Sequence, residues 1–566
     1  MAAESQAKRM EESQQLQFVR EKLLAFQKKM IGDVEQRMSC LIQDVMLDIQ
    51  QQQLRQQFDN STDRTSAGNG NIWHNRQPQT ANGKSAESDI SDSPNLQSDA
   101  AAQNETTPAS KQHNNEKEKQ QQQQKQQRRG LPDKVFAFRE SYLTALLQVE
   151  HMRTIYNIFY TILVLFFLNV ICYDYFVEGH INFAFDTFNG GLKRLHYVMG
   201  IWLLEHIFVL LLFYAFRGWA IMRAKLQTHN SLQRFWSHSS LIMYISAQLV
   251  FGYVSTSLCL KLNLPFVSAC VLLLESTRLL MKMHAFVRYN AARVLAGKLK
   301  TDNEPCPAPM PSLQSYVYFL FAPTLIYRDS YPRTTHIRWK FALCRLLEMV
   351  AVAFLYAFIH ERHIHEHFHL FGKEPMGASQ LIVKLFGMML PSAIIFLCGF
   401  YMILHSWLNF TSELLRFGDR MFYKDWWTSH TYDTYYRNWN VVVHDWLYEY
   451  VYKDCYKYIC KGSKTASSLL VFMISALVHE QVLGFALQMF FPVMFVFFGV
   501  VGVALVFLMR RAPKTLGNIF LWFSLILGNG MLISLYAMEY YAKRNCELSY
   551  KHWTDYVTPA LWRCYH

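Results

Sequence analysis

The chain has few charged residues for its length and no cysteine pattern typical of a metal site. Charged residues make up 17% of its 566 residues, and its eleven cysteines include no CxxC pair and no metal-ligand spacing. No cleavable signal sequence is apparent, because the N-terminus is polar and the first apolar run follows residue 150. We therefore expect neither a cysteine-based metal centre nor a cleaved leader.

The chain also lacks the charge distribution expected of a nucleic-acid-binding protein. Its formal net charge is +13, but Lys and Arg concentrate in the polar tail and in loops between apolar stretches. That distribution favours a membrane topology and anionic ligands over DNA or RNA. We therefore expect no nucleic-acid partner.

Apolar residues are abundant and unevenly distributed. They make up 51% of the chain and aromatics 15%, yet the mean hydropathy is only +0.01, because a polar first quarter dilutes an apolar remainder. The remainder predicts an all-α, polytopic membrane protein with about nine transmembrane helices. The predicted windows are 155–175, 197–216, 240–260, 265–281, 341–359, 385–404, 467–487, 490–508 and 518–538. The fourth is short and contains Glu275 and Arg278, so burial among other helices is an alternative for it.

Nine spans place the two termini on opposite sides of the membrane. A cytosolic N-terminus puts most loop Lys and Arg residues on the cytosolic side, as the positive-inside rule requires. The C-terminus is then lumenal, where an oxidising compartment permits a bridge between Cys546 and Cys564.

The first quarter divides into two segments. Residues 1–56 contain a helical pattern of apolar residues spaced by three and four, which favours oligomerisation over an amphipathic helix lying on the membrane. Residues 57–130 are rich in Gln, Asn, Ser and Lys and predict a disordered linker. Residues 131–566 form the membrane domain, and 131–153 predict an amphipathic helix leading into the first span.

Two long cytosolic loops, 282–340 and 405–466, are rich in aromatic residues. We expect both to pack onto the helical bundle or to lie at the membrane interface. The second contains four tryptophans for which anchoring at the membrane boundary is the simplest interpretation, Trp426, Trp427, Trp439 and Trp446.

His479 is the first candidate for chemistry. It lies with Glu480 in the middle of an apolar helix, where ionisable residues are costly and are by default functional. An imidazole can act as a general base near neutral pH. The alternative is a buried histidine that only hydrogen-bonds to a neighbouring helix.

Asn440 is the second candidate, because its amide can donate to a developing oxyanion. His444 and Asp445 also resemble a base with its orienting carboxylate. Consecutive residues do not face each other on a helix, however, so we rank His444 below His479.

Two further clusters have ordinary explanations beside functional ones. Lys453, Lys457, Lys461 and Lys464 suit either positive-inside charge or docking of a phosphate-bearing cosubstrate. The histidines of 360–369 invite a metal interpretation on an extended segment, but a solvated loop explains them better, and we predict no metal site.

Three motifs resemble the membrane-bound O-acyltransferase family, and within it the sterol O-acyltransferase branch. They are FYKDWW at 422–427, WNVVVHDW at 439–446 and VHE at 478–480, in that order. The resemblance covers nearly everything after residue 131. The segment RDSYPR at 328–333 and the C-terminal cysteine pair favour the sterol branch over the diacylglycerol acyltransferases, which share the first motif.

The resemblance implies a nine-span enzyme with an internal tunnel in the endoplasmic reticulum membrane. Such an enzyme assembles as a homo-oligomer, a dimer or tetramer, and transfers a long-chain acyl group from acyl-CoA to the 3-hydroxyl of cholesterol or another sterol. Acyl-CoA is then a cosubstrate and no cofactor is needed. The alternatives are a diacylglycerol acyltransferase and a sterol or lipid transporter with a polar passage.

The resemblance also implies individual roles. His479 and Asn440 match the catalytic residues, and His151 matches a sterol contact. The positions that match acyl-CoA contacts are Arg437, His444, Tyr452, Lys464 and Ser475. Thr428 and Thr434 stand where the family and its sterol branch carry Asn, and Thr retains a hydroxyl but loses the two amide donors.

Overall fold

The computed structural model describes residues 132–295, 310–374, 376–548, 552 and 554–564. The predicted oligomerisation segment 1–56 and linker 57–130 lie outside the described residues. The described chain is helical, and its β-pairing is limited to isolated bridges such as the parallel one between Arg139 and Asp419. The all-α prediction is confirmed.

The described residues form nineteen α-helices, numbered in chain order. They are α1 Tyr142–Leu146, α2 Glu150–Tyr173, α3 Phe185–Leu192, α4 Leu195–Lys225, α5 Asn230–Lys261, α6 Phe266–Leu295, α7 Leu313–Phe321, α8 Trp339–Ile359, α9 Glu366–Phe368, α10 Ala378–Gly387, α11 Met389–Phe400, α12 Leu408–Leu414, α13 Tyr432–Trp439, α14 Val441–Trp446, α15 Lys464–Leu487, α16 Gly502–Leu508, α17 Lys514–Asn545, α18 Thr554–Val557 and α19 Ala560–Arg563.

Shorter helical turns extend several of these helices. The π-helical turns are Asp174–Glu178, His360–His365, Tyr401–Trp407, Leu447–Tyr452, Cys455–Ile459 and Phe495–Val501, and the 3₁₀ turns are Leu226–Thr228, Trp426–Thr428 and Met509–Arg511. Because the turn at His360–His365 joins α8 to α9, the histidine-rich stretch is helical and is not the solvated loop that we expected.

Seven helical stretches in the described chain are long and apolar enough to cross a membrane. They correspond to seven of the predicted windows, and they make this a membrane protein. The windows 265–281 and 490–508 do not give such stretches, so the count of nine is not confirmed. The first falls in the charged helix α6, and the second is divided between a π-helical turn and the short helix α16.

The two aromatic loops pack into the bundle. In the first loop, Tyr316, Phe319 and Tyr327 are fully buried against α4 and α6. In the second loop, Phe422 and Tyr423 belong to another buried cluster. For the described parts of both loops, the expectation that they pack onto the helical bundle is therefore confirmed.

The anchoring interpretation is wrong for Trp426. Its side chain is only 2% exposed, and its ring packs 4.7 Å from that of Trp439 and 5.5 Å from that of Trp522 on α17. A tryptophan enclosed by aromatic rings contributes to the core instead of lying at a membrane boundary.

At the N-terminal end of the membrane domain the predicted helix is absent, whereas at the C-terminal end the expected disulfide is present. Residues 132–140 contain no helix and α1 is a single short helix, so the predicted continuous helix over 131–153 is wrong. At the other end, Cys546 and Cys564 are joined by a disulfide with Cα atoms 5.7 Å apart, a separation typical of such bridges.

Candidate active site

His479 lies two turns before the end of α15. Ser463 begins this helix by accepting a hydrogen bond from the backbone N–H of Ala466, as an N-cap residue does. The Nδ1 atom of His479 lies 2.7 Å from the carbonyl oxygen of Ser475. A carbonyl can only accept, so Nδ1 carries the proton and Nε2 holds the lone pair. The backbone of α15 thus fixes a tautomer that can accept a proton at Nε2.

The side chain of His479 is accessible. The ring of Phe498 packs against it, with centroids 5.1 Å apart. An accessible imidazole on a membrane-spanning helix can meet a reactant at Nε2.

Glu480 holds the helices around His479 together. Its carboxylate accepts hydrogen bonds from the backbone N–H of Phe495 at 2.9 Å and from the hydroxyl of Tyr536 at 3.1 Å. Tyr536 also accepts a hydrogen bond from the backbone N–H of Met494. Glu480 therefore ties α15 to α17 and to the turn that presents Phe498.

Asn440 has its two amide atoms in different environments. Its Oδ1 caps α14 by accepting a hydrogen bond from the backbone N–H of Val443 at 3.1 Å. Within the described chain, its Nδ2 has no acceptor. The backbone on both sides is pinned, because the N–H of Lys424 donates to the carbonyl of Asn438 and that of Val441 to the carbonyl of Phe422. A pre-oriented amide donor is what an oxyanion site requires.

Three aromatic rings join the helix before Asn440 to the helix that carries His479. Tyr436 on α13 lies 4.7 Å from Phe472 on α15 and 5.4 Å from Phe498, and those two phenylalanine rings stack at 4.9 Å. A Cβ at Gly502 would lie 2.7 Å from the hydroxyl of Tyr436, so this close approach requires glycine. The structure thus brings the two predicted catalytic segments into one neighbourhood.

Three of the predicted acyl-CoA contacts lie between α13 and the start of α15. Arg437 is exposed and pairs with Asp433 at 3.0 Å, and Lys464 is exposed at the first residue of α15. Tyr452 stacks between Tyr448 and Tyr456 with interplanar angles of 16°. The cations therefore remain available to an anion, whereas Tyr452 belongs to a row of stacked rings.

His444 and Asp445 meet, contrary to our expectation for consecutive residues. Nδ1 of His444 lies 3.5 Å from Asp445, whose other oxygen lies 2.5 Å from Nζ of Lys134. Burial raises the pKa of Asp445, but the hydrogen bond from His444 and the charge of Lys134 outweigh it and hold the pKa below its usual value. Asp445 is thus ionised, and its two oxygens interact with His444 and Lys134.

Ser475 and His151 are the remaining predicted site residues, and only Ser475 contacts His479. Ser475 contacts His479 through its carbonyl oxygen. His151 is exposed at the first turn of α2, and among the described residues it has no hydrogen bond or ring contact with α15.

Sequence reasoning overlooked His405. Its Nε2 lies 2.5 Å from Arg345 and its Nδ1 lies 2.6 Å from the hydroxyl of Tyr423. The residue is fully buried, and both nitrogens are engaged, so it anchors the 422–427 motif to the bundle. The signal that could have identified His405 is its place in the sequence, directly after the predicted apolar window 385–404.

Comparisons with known proteins show which family the chain belongs to. A sequence model of MBOAT, the membrane-bound O-acyltransferase family, matches residues 200–538. The chain is 41% identical over 435 residues to sterol O-acyltransferase 1 of Mus musculus, covering 76% of this chain and 79% of that protein. It is 36% identical to sterol O-acyltransferase 2 of Homo sapiens, covering 76% and 80%. The chain therefore belongs to the membrane-bound O-acyltransferase family.

Proposed function

We propose that this protein is an acyl-CoA-dependent sterol O-acyltransferase that forms steryl esters. The observation that carries the proposal is the His479 tautomer: Nδ1 donates to the Ser475 carbonyl, and Nε2 of this accessible ring is left as a proton acceptor. The relatives named above support acyl transfer to a sterol over transfer to diacylglycerol or simple lipid transport.

In the proposed reaction, Nε2 of His479 removes the proton of the sterol 3-hydroxyl. The resulting alkoxide attacks the thioester carbonyl, and Nδ2 of Asn440 donates to the oxyanion that forms. When the carbon–sulfur bond breaks, the CoA thiolate leaves and takes up the proton from His479. The products are a steryl ester and free CoA, and neither a metal nor a separate cofactor is assigned a step.

Acyl-CoA enters from the cytosolic side, where its phosphates meet the exposed cations Arg437 and Lys464. His444 and Tyr452 complete this binding segment. The sterol arrives laterally from the bilayer, and His151 contacts it near the start of α2.

The proposed location is the endoplasmic reticulum membrane, with a cytosolic N-terminus and a lumenal C-terminus. This orientation places the Cys546–Cys564 disulfide in the oxidising lumen. The protein works as a homo-oligomer, and the apolar pattern within residues 1–56 supports that assembly.

An acceptor competition assay tests the function. The purified protein receives labelled long-chain acyl-CoA with equal amounts of cholesterol and diacylglycerol in detergent or nanodiscs. We expect label in steryl ester and little in triacylglycerol. Label mainly in triacylglycerol would replace the sterol by diacylglycerol as the acceptor. No acceptor-dependent ester would favour a lipid transporter.

A further inference from the structure

Residues 132–141, which we call the strap, cross the segment before the FYKDWW motif. The backbone N–H of Arg139 donates to the carbonyl of Gly418 at 3.0 Å, and that of Arg420 donates to the carbonyl of Arg139 at 2.9 Å. The guanidinium of Arg139 grips Asp419 with two hydrogen bonds, at 2.7 and 3.0 Å. A bidentate pair of this kind fixes geometry as well as charge.

The close packing of the strap depends on a glycine. A Cβ at Gly418 would lie 3.0 Å from the ring of Phe138 and 3.0 Å from the carbonyl oxygen of Pro332. The strap and the segment 328–333 thus enclose the same point of the chain from two sides. The Arg139 end of the strap is therefore fixed against residues 418–420 by hydrogen bonds and close packing.

The other end of the strap carries two consecutive charges of opposite sign. Lys134 pairs with Asp445 at 2.5 Å, with side chains about one fifth exposed, and Asp133 pairs with Lys453. Arg328 reinforces this end by donating to the carbonyl of Lys134. Because the signs alternate, a shift of one residue would place like charges together. The pairs therefore set the register of the strap.

The strap contacts α14, which lies in the segment proposed to bind acyl-CoA. Asp445 lies on α14, which begins after the Asn440 cap, and it contacts His444 directly. The Gly418 end reaches the same helix, because the backbone N–H of Val441 donates to the carbonyl of Phe422. The strap is thus linked to α14 directly at Asp445 and indirectly through residues 418–422 at Val441.

Lys134 also neutralises a carboxylate close to where an anion would bind. Without that partner, Asp445 would present an uncompensated negative charge beside His444. The pair is only partly exposed, so solvent screens it less than it screens a surface pair. A bare carboxylate there would oppose the phosphates of acyl-CoA.

We propose that Lys134 and Asp445 are positioning residues for acyl-CoA: the strap orients α14 and keeps the site free of uncompensated negative charge. The inference rests on the proposed function, since it assigns a role within that binding segment. The two residues touch the site through His444 and the helix, and not through the reacting atoms.

Charge reversal in the full-length enzyme tests the proposal. Lys134→Glu is expected to raise the KM for acyl-CoA about tenfold, an effect between those of surface and buried ion pairs. The KM for sterol and the kcat should change less than twofold. Asp445→Lys also breaks the pair but leaves no uncompensated carboxylate, so it should raise the acyl-CoA KM less than Lys134→Glu. The double reversal should return the acyl-CoA KM to within about threefold of wild type.

Two controls keep the result interpretable. Arg293→Glu breaks another partly exposed ion pair, with Asp329 at 2.8 Å, and should leave the acyl-CoA KM unchanged. Lys134→Gln is a milder substitution that serves if the reversed variant does not fold. An unchanged acyl-CoA KM in folded Lys134 variants, or a double reversal without recovery, would overturn the proposal.

Equilibrium binding separates this inference from the proposed function. Labelled acyl-CoA binding to Lys134→Glu and wild type requires no turnover, so it is measurable even if no steryl ester forms. Weaker binding in Lys134→Glu supports the strap by itself, whereas equal binding contradicts it. Absence of steryl ester with wild type contradicts only the sterol assignment.

Discussion

The two amide atoms of Asn440 have separable roles, and substitutions can distinguish them. Asn440→Asp retains an oxygen that can cap α14 but loses the Nδ2 donor, because Asp and Asn are comparable N-cap residues. Loss of one oxyanion donor lowers kcat by about 10²–10³-fold. We therefore expect Asn440→Asp to keep its thermal stability and lose most of its activity.

Asn440→Ala removes both atoms. It should show a similar loss of kcat and, in addition, a loss of about 0.5–2 kcal/mol of stability from the missing cap. Initial rates of steryl ester formation give the first effect. Thermal unfolding of the detergent-solubilised protein gives the second.

Thr431 provides a matched control, because it caps the neighbouring helix α13 through Thr434 and has no proposed oxyanion role. Thr431→Ala should lose stability of the same order and retain most of its kcat. Wild-type activity in Asn440→Asp would refute the donor role. Equal losses of activity in Thr431→Ala and Asn440→Ala would indicate that only the loop conformation matters.

Three further predictions concern stability. Tyr536→Phe removes a hydrogen bond to the Glu480 carboxylate and should cost about 1.5–3 kcal/mol in thermal unfolding. Cys564→Ser opens the disulfide loop and should cost about 3 kcal/mol by the chain-entropy estimate. Because the folded pKa of Asp445 is lowered, its stabilisation is present above the unfolded pKa and is lost as pH falls through the folded value. The stability difference between wild type and Asp445→Asn should therefore be constant from pH 7 to about 5 and shrink below about 4.

The first two of these predictions have a matched control each. Tyr540→Phe, one turn along α17, removes a hydrogen bond to the exposed Arg544 and should cost less than Tyr536→Phe. Cys172→Ser alters an exposed free cysteine and should change stability by less than about 0.5 kcal/mol. A stability difference for Asp445→Asn that grows as the pH falls would contradict the lowered pKa.

Hydropathy predicted most of the bundle because crossing helices must be long and apolar. It was less informative where polar contacts decide the structure. In α6, Lys282 is fully buried because its ammonium group donates to three carbonyls at the end of α7, those of Phe319, Leu320 and Ala322. Partners supplied by another helix leave no mark on the local apolar pattern.

The same distinction applies to the site. The hydrogen bond from His479 to Ser475 joins residues four apart, so helical periodicity alone predicts it. The partners of Glu480 lie 15 and 56 residues away, and no local pattern identifies them. The apolar residues of 131–153 predict a helix that would include the strap. In the structure, backbone pairing with Gly418 and Asp419 gives the strap an extended conformation instead.

The His479 imidazole is the central claim, and glutamine is the sharpest substitution for it. His479→Gln keeps a polar side chain of similar size but has no nitrogen that accepts a proton. Steryl ester formation, measured at equal amounts of folded protein and with acyl-CoA binding verified, should fall by about 10²–10⁴-fold. Activity within tenfold of wild type in that variant would contradict His479 as the base.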